Sequence, residues 1–276
     1  MEHGIFSAPA GKRDFVRFCR NLSLKLGFTI GKRAEKQAVL DLVNRLHPRT
    51  AEHGLVRLGG TGDGGYLVPD DFEGIEACFS PGVCDRANFE IDMIARGIRC
   101  YLTDASVEKA PIADDLVHFT RKFLAVVNGS RTITLDDWVN AHAPGTSDLL
   151  LQMDIEGAEW PVLLHVSPQT LRRFRIIVVE LHDLERMLDR HALPMISAIF
   201  DRLLDDFYVV HNHPNNYAGV VQYGSLTIPR VIEMTLYRKD RVVTPGFASQ
   251  FPHPLDQDCA VGRRKIVLPP GWFRAA

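Results

Sequence analysis

Two carboxylates follow a run of apolar residues, broken only by Gln152, near the middle of the chain. The run covers residues 149–153, and Asp154, Glu156 and Gly157 follow it closely. Such a run is typical of a strand buried in a parallel sheet, and ligands bind beyond the carboxyl ends of these strands. We therefore expect Asp154 to lie where substrate chemistry takes place.

Three pairs of polar side chains follow successive apolar runs, and the two members of each pair are separated by one residue. Because side chains alternate along a strand, each pair points to one face. Neighbouring strand ends would bring the three pairs to one edge of the sheet. There, a side chain could act as a general base, or several could bind a divalent metal. Each pair alone could simply mark a strand emerging into water, but three in succession favour a site. The pairs are Asp154 with Glu156, Glu180 with His182, and His211 with His213.

A second candidate site follows the predicted strand at residues 75–79. Gly82 would let the backbone approach a ligand closely, and Asp104 ends the next strand 22 residues later. An acid at about this offset can accept hydrogen bonds from ribose hydroxyls. The G-x-G-x-x-G fingerprint is absent, and the alternative is an ordinary turn with a surface aspartate. The paired offset favours a cofactor site.

Two polar or glycine-rich segments have less specific patterns. Residues 57–68 resemble a phosphate loop in composition but lack its Lys-Ser/Thr, so a tight turn between two short strands is the better interpretation. Residues 211–217 are dense in hydrogen-bonding groups, either as a pocket for a polyol or glycan or as a polar turn. Their two histidines favour a pocket.

Length and composition favour one large globular domain with an N-terminal appendage. The chain has 276 residues and a net charge of −2, which gives no general case for nucleic-acid binding. The five cysteines are odd in number and lack metal or disulfide spacing, so we expect a reduced cytoplasmic compartment. We expect a helical appendage at residues 1–50 and the main domain at residues 51–276.

The N-terminal segment is basic. Residues 1–33 carry seven Lys and Arg against two acids, about +5, and show neither a signal peptide nor a membrane span. Its apolar residues fall on one face of a predicted helix, which leaves peripheral membrane contact open. Packing on the main domain is the favoured alternative.

The elements that must position these residues alternate between strands and helices, which is typical of a mainly parallel α/β sheet. We predict a Rossmann-like sheet of seven strands, with helices between them and one strand inserted antiparallel near the end. Residues 212–230 are predicted to form a long loop or β-hairpin. The predicted strands cover residues 75–79, 98–103, 123–127, 149–153, 175–179, 208–211 and 231–237. The predicted helices lie around residues 12–26, 34–47, 86–96, 134–141, 159–165, 184–190 and 194–205.

Taken in order, several short motifs resemble one enzyme family. They are Arg57-Leu58-Gly59-Gly60, Asp63-Gly64-Gly65-Tyr66, Phe79-Ser80-Pro81-Gly82-Val83 with Phe89-Glu90, Thr103-Asp104, Thr134-Leu135-Asp136-Asp137-Trp138 and Met153-Asp154-Ile155-Glu156-Gly157-Ala158-Glu159. Over roughly residues 55–240 the chain resembles the FkbM-type family of S-adenosylmethionine-dependent O-methyltransferases. Pro81-Gly82-Val83 replaces the several glycines that other methyltransferases carry at this point.

The resemblance implies a class I methyltransferase fold, with a seven-stranded, mostly parallel sheet and helices on both faces. It implies that Gly82 lies against the methionine part of S-adenosylmethionine, that Asp104 binds the ribose and that Asp154 lies near the transferred methyl. Asp63 is included among the expected cofactor-binding residues. The implied acceptor is a hydroxyl of a sugar, a glycolipid, or a glycosylated or polyketide natural product.

The expected mechanism is in-line attack of the acceptor hydroxyl on the sulfonium methyl. Besides Asp154, we expect His182 or His211 to act catalytically as the base, because an imidazole titrates near neutrality. Alternatively, Asp154, Glu180 and His211 hold Mg²⁺ or a related divalent metal that favours deprotonation of the acceptor oxygen.

Two other functional classes fit parts of the pattern. A binding module would hold the cofactor or a partner without catalysis. A metal-dependent hydrolase would use the same carboxylates and histidines, and it would have no affinity for S-adenosylmethionine.

Overall fold

The computed structural model describes residues 12–26 and 31–274, which form an α/β fold. The helices are α1 (Lys12–Lys25), α2 (Lys36–Arg45), α3 (Asn88–Ile94), α4 (Leu135–His142), α5 (Glu159–His165), α6 (Pro168–Leu171) and α7 (Ala192–Asp206). Two 3₁₀ turns cover Leu184–Leu188 and Lys239–Arg241. The strands are β1 (Leu55–Leu58), β2 (Tyr66–Pro69), β3 (Ile75–Pro81), β4 (Arg99–Thr103), β5 (Val117–Thr120), β6 (Phe123–Leu124), β7 (Thr132–Ile133), β8 (Asp148–Met153), β9 (Phe174–Leu181), β10 (Phe207–Pro214), β11 (Val220–Tyr223), β12 (Leu226–Pro229) and β13 (Ile232–Arg238).

The main sheet has seven strands in the order β10-β13-β9-β8-β3-β4-β5. Neighbouring strands from β9 to β5 pair in parallel, whereas β13 pairs antiparallel with both β9 and β10. The predicted α/β class is confirmed, with a seven-stranded sheet that is mixed rather than cleanly parallel. The carboxyl ends of β3, β4, β8 and β9 consequently lie along one edge.

One predicted strand is wrong. Residues 123–127 were expected in the main sheet, but its edge strand is β5, and Phe123–Leu124 instead pairs with β7 in a separate two-stranded sheet. Among the described strands, the edge strand has a neighbouring strand on one side only. Its sequence Val-His-Phe-Thr is only half apolar, and none of its residues is buried. The more apolar run that follows it gave the stronger but misleading signal.

Alternating side chains of the central strands build a core on each face of the sheet. Leu149 and Leu151 of β8 pack in the larger core, which also receives apolar residues from α2, α4, α5 and α7. Leu150 points to the opposite core, together with residues of α3 and of the hairpin β1–β2. Because side chains alternate along each strand, both faces of the sheet carry apolar residues. Helices pack on both faces and cover them.

The tight turn predicted between two short strands at residues 57–68 is confirmed, and residues 212–230, predicted as a long loop or a β-hairpin, contain a hairpin. Strands β1 and β2 pair antiparallel on either side of the glycine-rich turn, and β11 pairs with β12 within residues 212–230. Thr134 caps the start of α4, because its hydroxyl accepts a hydrogen bond from the Asp137 amide at 3.2 Å.

The N-terminal helices differ in how they are covered. Val39 and Leu42 of α2 are fully buried in the larger core, whereas Phe15, Leu22 and Leu24 of α1 are exposed. Parts of the predicted appendage, at residues 1–11 and 27–30, lie outside the described residues. The domain boundary at residue 50 and contact of α1 with a membrane surface stay predictions. In the described ranges no helix is both long and apolar enough to cross a membrane.

Candidate functional site

A cavity of about 520 Å³ lies at the carboxyl ends of β3, β4 and β8. Gly82, Asp104 and Asp154, each expected from the sequence to lie at a site, line its wall, and so does Asp63. The volume falls in the range of roughly 300–1,000 Å³ that is usual for small-molecule sites. The structure therefore brings four of the predicted site residues to one cavity.

Gly82 is required by a close backbone approach. Its φ is +87°, and a Cβ built there would lie 1.6 Å from the carbonyl oxygen of Asp154. The Gly82 amide also donates a hydrogen bond to the carbonyl of Thr103 at 3.0 Å. Gly82 thus lets the turn after β3 pack against the segment after β8, a requirement that exists whether or not a ligand is bound.

Asp104 shapes the cavity wall through both of its carboxylate oxygens. Oδ2 accepts a hydrogen bond from the amide of Cys84 at 2.9 Å, and Oδ1 accepts one from the amide of Ser106 at 2.7 Å. Each carboxylate oxygen can accept a second hydrogen bond, so Asp104 retains capacity for a ligand hydroxyl. Its role toward a ribose stays a prediction.

The glycine-rich segment is the hairpin turn favoured from its composition, and Arg57 holds its shape. The Arg57 guanidinium donates to the carbonyl oxygens of Gly60 at 2.6 Å and Gly62 at 3.0 Å. The turn places Asp63 at the cavity, where it forms an exposed ion pair with Arg86 at 3.2 Å. Exposed pairs of this kind contribute little to stability, so Asp63 remains free to face a ligand.

Asp154 has the perturbed titration expected of a functional carboxylate. Its Oδ1 is buried and has no hydrogen-bond partner among the described residues. Burial raises the pKa of Asp154 from its usual value near 3.8 to about 7; His182 opposes this shift, and the carboxylates of Glu156, Glu159 and Asp63 add to it. At neutral pH a large fraction of this group is therefore ionised and able to accept a proton.

His182 is held beside Asp154 by Glu159, which is fully buried at the start of α5. Nδ1 of His182 hydrogen-bonds with Oε1 of Glu159 at 3.2 Å, and Nε2 lies 3.9 Å from Oδ1 of Asp154 and 3.4 Å from Oε2 of Glu156. Burial lowers the pKa of His182, but Glu159 and the other two carboxylates outweigh it and raise the pKa overall. The imidazole is thus oriented with Nε2 toward the carboxylates.

Glu159 also anchors the loop between β8 and α5. Its carboxylate accepts hydrogen bonds from the amides of Ile155 at 2.9 Å and Gly157 at 2.9 Å. Within this loop Glu156 has a φ of +54°, a region that costs energy for a residue with a side chain. The role of Glu159 was missed from the sequence, where it is simply the last residue of the motif at residues 153–159.

A row of buried polar residues crosses β9, β13 and β10. In the strand register Glu180 pairs with Glu233, and Glu233 pairs with His213. Burial, Asp154 and Glu233 together raise the pKa of Glu180 well above its usual value. Oε2 of Glu180 is buried without a hydrogen-bond partner among the described residues. Glu233 was missed from the sequence, although a charged residue at an inward position of an apolar strand was a usable signal.

The expected metal set of Asp154, Glu180 and His211 is not one group in the described part of the chain. Asp154 and Glu180 group with His182 instead. Nε2 of His211 lies 2.9 Å from Oδ1 of Asp256, and His211 is absent from the described cavity wall. The physical reason is the sheet order, because β13 lies between β9 and β10 and separates His211 from Glu180.

The polar side chains of residues 211–217 mostly contact other groups of the protein. The Asn215 side chain donates to Oε1 of Glu180 at 2.8 Å, and the Asn216 side chain donates to the Ala260 carbonyl at 3.0 Å. Both asparagines are buried. This segment therefore joins the sheet to the chain that follows β13, and an acceptor pocket there stays a prediction.

A comparison with protein-family models identifies the central part of the chain. Residues 87–205 match the methyltransferase FkbM domain. The family resemblance drawn from the sequence is confirmed over that segment, and the match supports a methyltransferase. The FkbM match includes Asp104, Asp154, Glu159 and His182, whereas Gly82 lies outside it.

Other comparisons add little to the FkbM match. The crystal structure of Burkholderia thailandensis 1,6-didemethyltoxoflavin-N1-methyltransferase, with bound 1,6-didemethyltoxoflavin and S-adenosylhomocysteine, is 10% identical to this chain. The similarity covers 86% of this chain and 93% of that one, with a TM-score of 0.30, which is too low to support any inference about this chain. No curated protein matches the chain.

Proposed function

We propose that this protein is an S-adenosylmethionine-dependent methyltransferase that methylates a hydroxyl of a sugar, a glycolipid, or a glycosylated or polyketide natural product. The observation that carries the proposal is Asp154, which lines the cavity, has a pKa raised to about 7, and has a buried Oδ1 without a hydrogen-bond partner among the described residues. The FkbM match supports the transferase class, and the acceptor class follows from the family resemblance alone.

The residues of the cavity fit the cofactor. Asp104 offers free acceptor capacity for ribose hydroxyls, and Phe89 and Phe123 supply apolar wall for a purine ring. Gly82 keeps the turn after β3 free of a side chain. Bound S-adenosylmethionine supplies an electrophilic methyl group, so the protein has to align the acceptor and remove its proton.

The acid–base work falls to Asp154 and His182. The Asp154 carboxylate accepts the acceptor hydroxyl's proton, because its pKa near 7 lets it be ionised at neutral pH and still hold a proton. Glu159 orients His182 so that Nε2 faces Asp154, which stabilises the ionised carboxylate. His211 is buried against Asp256 and is assigned no catalytic role in this proposal.

A divalent metal held by Asp154, Glu180 and His182 is the alternative use of the same groups. Such an ion would bind the acceptor oxygen and lower its pKa. The two uses differ in one observable property: the metal-assisted reaction stops after chelation and recovers on addition of Mg²⁺ or Mn²⁺. The acid–base reaction survives chelation.

Calorimetric titration of chelator-treated protein with S-adenosylmethionine, with and without Mg²⁺, tests the cofactor. We expect binding that weakens by about tenfold or more in Asp104→Ala, which loses a buried charged acceptor. Asp114→Ala is the matched control, because the Asp114 carboxylate also accepts the amide two residues on, at 2.8 Å, but lies outside the cavity.

Transfer of labelled methyl from S-adenosylmethionine to a panel of sugars and glycosylated natural products tests the reaction. Labelling of a hydroxyl supports the proposal. Absence of cofactor binding with and without Mg²⁺ would overturn it and favour a metal-dependent hydrolase. Binding without transfer to any hydroxyl acceptor would favour a non-catalytic binding module.

A further inference from the structure

Three buried side chains from separate segments converge at the sheet, and none of them belongs to the described lining of the cavity. They are His213 at the end of β10, Glu233 in β13 and Cys259 in the chain after β13, and one donor atom of each lies within 4.8 Å of the others. We propose that these three residues bind one transition-metal ion of the zinc class. The site differs from the groups proposed for methyl transfer, since none of the three lines the cavity in the described structure.

The backbone positions two of the ligands before any metal binds. His213 and Glu233 are direct partners in the antiparallel register of β10 and β13, so their Cβ atoms lie about 4.5–5.5 Å apart on one face. Both side chains are buried on this face. A pair of donors held this way loses little conformational entropy on metal binding.

The segment after β13 supplies the third ligand, Cys259. Its Sγ lies 3.0 Å from Oε1 of Glu233. The next residue, Ala260, is held by two hydrogen bonds with the Asn216 side chain, at 2.7 Å and 3.0 Å. This double contact fixes the position of the thiol although no regular strand or helix carries it.

The donor set selects the class of metal. Imidazole nitrogen, thiolate sulfur and carboxylate oxygen are the ligands that Zn²⁺ takes in proteins, whereas Mg²⁺ and Ca²⁺ prefer sites made of oxygen alone. Three protein ligands leave a fourth position for water in a tetrahedral site. A Zn²⁺ ion with a thiolate, a carboxylate and a neutral imidazole carries no net charge.

Asp256 lies beside the proposed metal ligand His213, where its carboxylate can accept a hydrogen bond from the ring nitrogen that does not bind the metal. Its Oδ1 lies 3.5 Å from Nδ1 of His213 and 2.9 Å from Nε2 of His211. Metal-binding histidines usually direct their second ring nitrogen to such a carboxylate, which fixes the tautomer and the ring orientation. We therefore assign Nε2 of His213 as the ligand and Asp256 as a positioning residue.

The local charges also favour a bound cation. Glu233 pairs across the sheet with Glu180, so two buried carboxylates lie on neighbouring strands. Ionising both of them would place like charges directly opposite each other, which is destabilising in a sheet. A divalent ion beside Glu233 offsets this repulsion and joins the chain after β13 to β10 and β13.

Metal analysis of the purified protein tests the site without any assay of activity. The protein is purified without metal-affinity chromatography and then dialysed. Inductively coupled plasma mass spectrometry is expected to find about one zinc per chain. Cys259→Ser should lose the metal, and Asp256→Asn should weaken binding by about 10- to 100-fold. Cys19→Ser is the matched control, because Cys19 lies in α1, and it should keep the metal.

Asp154→Asn separates this site from the group of Asp154, Glu180 and His182. Zinc retained in Asp154→Asn and lost in Cys259→Ser supports the proposal. The reverse pattern would overturn it and place the metal at the cavity. Because metal content is measured without cofactor, failure of S-adenosylmethionine to bind would leave this result unaffected.

Cobalt substitution keeps the test valid if a variant fails to fold. Wild-type protein stripped with a chelator should bind Co²⁺ at one equivalent per chain. We expect a thiolate-to-cobalt charge-transfer band in the near ultraviolet together with tetrahedral visible bands. Wild-type protein that shows neither zinc nor this thiolate band would overturn the proposal and leave a buried hydrogen-bonded cluster.

Discussion

A Cβ atom on Gly82 would lie 1.6 Å from the carbonyl oxygen of Asp154. The turn after β3, which forms part of the cavity wall, therefore rests directly on the residue proposed as the base. No other side chain separates Gly82, which is expected to contact the cofactor, from Asp154, which is expected to take the proton. A change at Gly82 should consequently disturb both functions together.

Gly82→Ala is expected to destabilise the protein by more than about 2 kcal/mol and to weaken S-adenosylmethionine binding, because the backbone has to shift. Gly97→Ala is the matched control, since Gly97 has a φ of +73° but its Cβ would meet nothing within 4 Å. The control should lose only about 1 kcal/mol and keep its cofactor affinity. Urea unfolding and calorimetry measure both effects, and equal losses in the two variants would contradict the clash.

The rate of methyl transfer is expected to rise with pH and to level off above about 7, as Asp154 loses its proton. Asp154→Asn should reduce the rate by about 10²- to 10⁴-fold, the usual contribution of a general base. Glu156→Gln should have a smaller effect, because the Glu156 carboxylate is exposed to water. A pH profile of the initial rate tests this, and an Asp154→Asn enzyme with the wild-type profile would exclude Asp154 as the base.

The raised pKa of Asp154 also predicts how stability depends on pH. Between about pH 4 and pH 7 the folded protein holds a proton that the unfolded chain has released, so this contribution to stability is lost as the pH rises through 7. Asp154→Asn removes the group. We expect its stability relative to the wild type to increase from about pH 5 to about pH 8, measured by urea unfolding. A difference that is the same at both pH values would show that Asp154 does not titrate in this range.

Glu159→Gln is expected to lower the pKa of His182, because it removes the main partner that raises it. The variant should also lose about 1–3 kcal/mol of stability, since a buried carboxylate that accepts loop amides is replaced. Titration of the His182 ring by NMR measures the pKa. Glu156→Gln provides the comparison and should shift it less. An unchanged His182 pKa in Glu159→Gln would show that Glu159 does not orient the imidazole.

Local pattern was sufficient for the strands that are covered on both faces. The apolar run of residues 149–153 and the acid after it predicted both the buried strand β8 and the position of Asp154 at the cavity. The same reasoning failed at β5, because an edge strand has a neighbouring strand on one side only and none of the β5 residues is buried, so its sequence need not be apolar. The apolar content of a run therefore indicated how deeply its residues are buried. It did not indicate whether the run belongs to the main sheet.

The local sequence pattern did not predict which residues contact each other across the sheet. His211 was expected beside Glu180 because the two runs follow one another among the predicted strands, but β13 inserts between β9 and β10. That insertion brings Glu233 between Glu180 and His213. No local spacing marks such a neighbour, because the order of strands is set by packing of the whole sheet.

The sequence by itself determined which residue types stand at the strand ends. Gly82, Asp104 and Asp154 line one cavity because parallel strands present their carboxyl ends at a common edge, whatever lies between them. Only the tertiary structure decided which groups touch: Glu159 against His182, and Cys259 against Glu233. Those contacts join segments 23 and 26 residues apart, and they depend on how the folded chain brings a loop and the segment after β13 back onto the sheet.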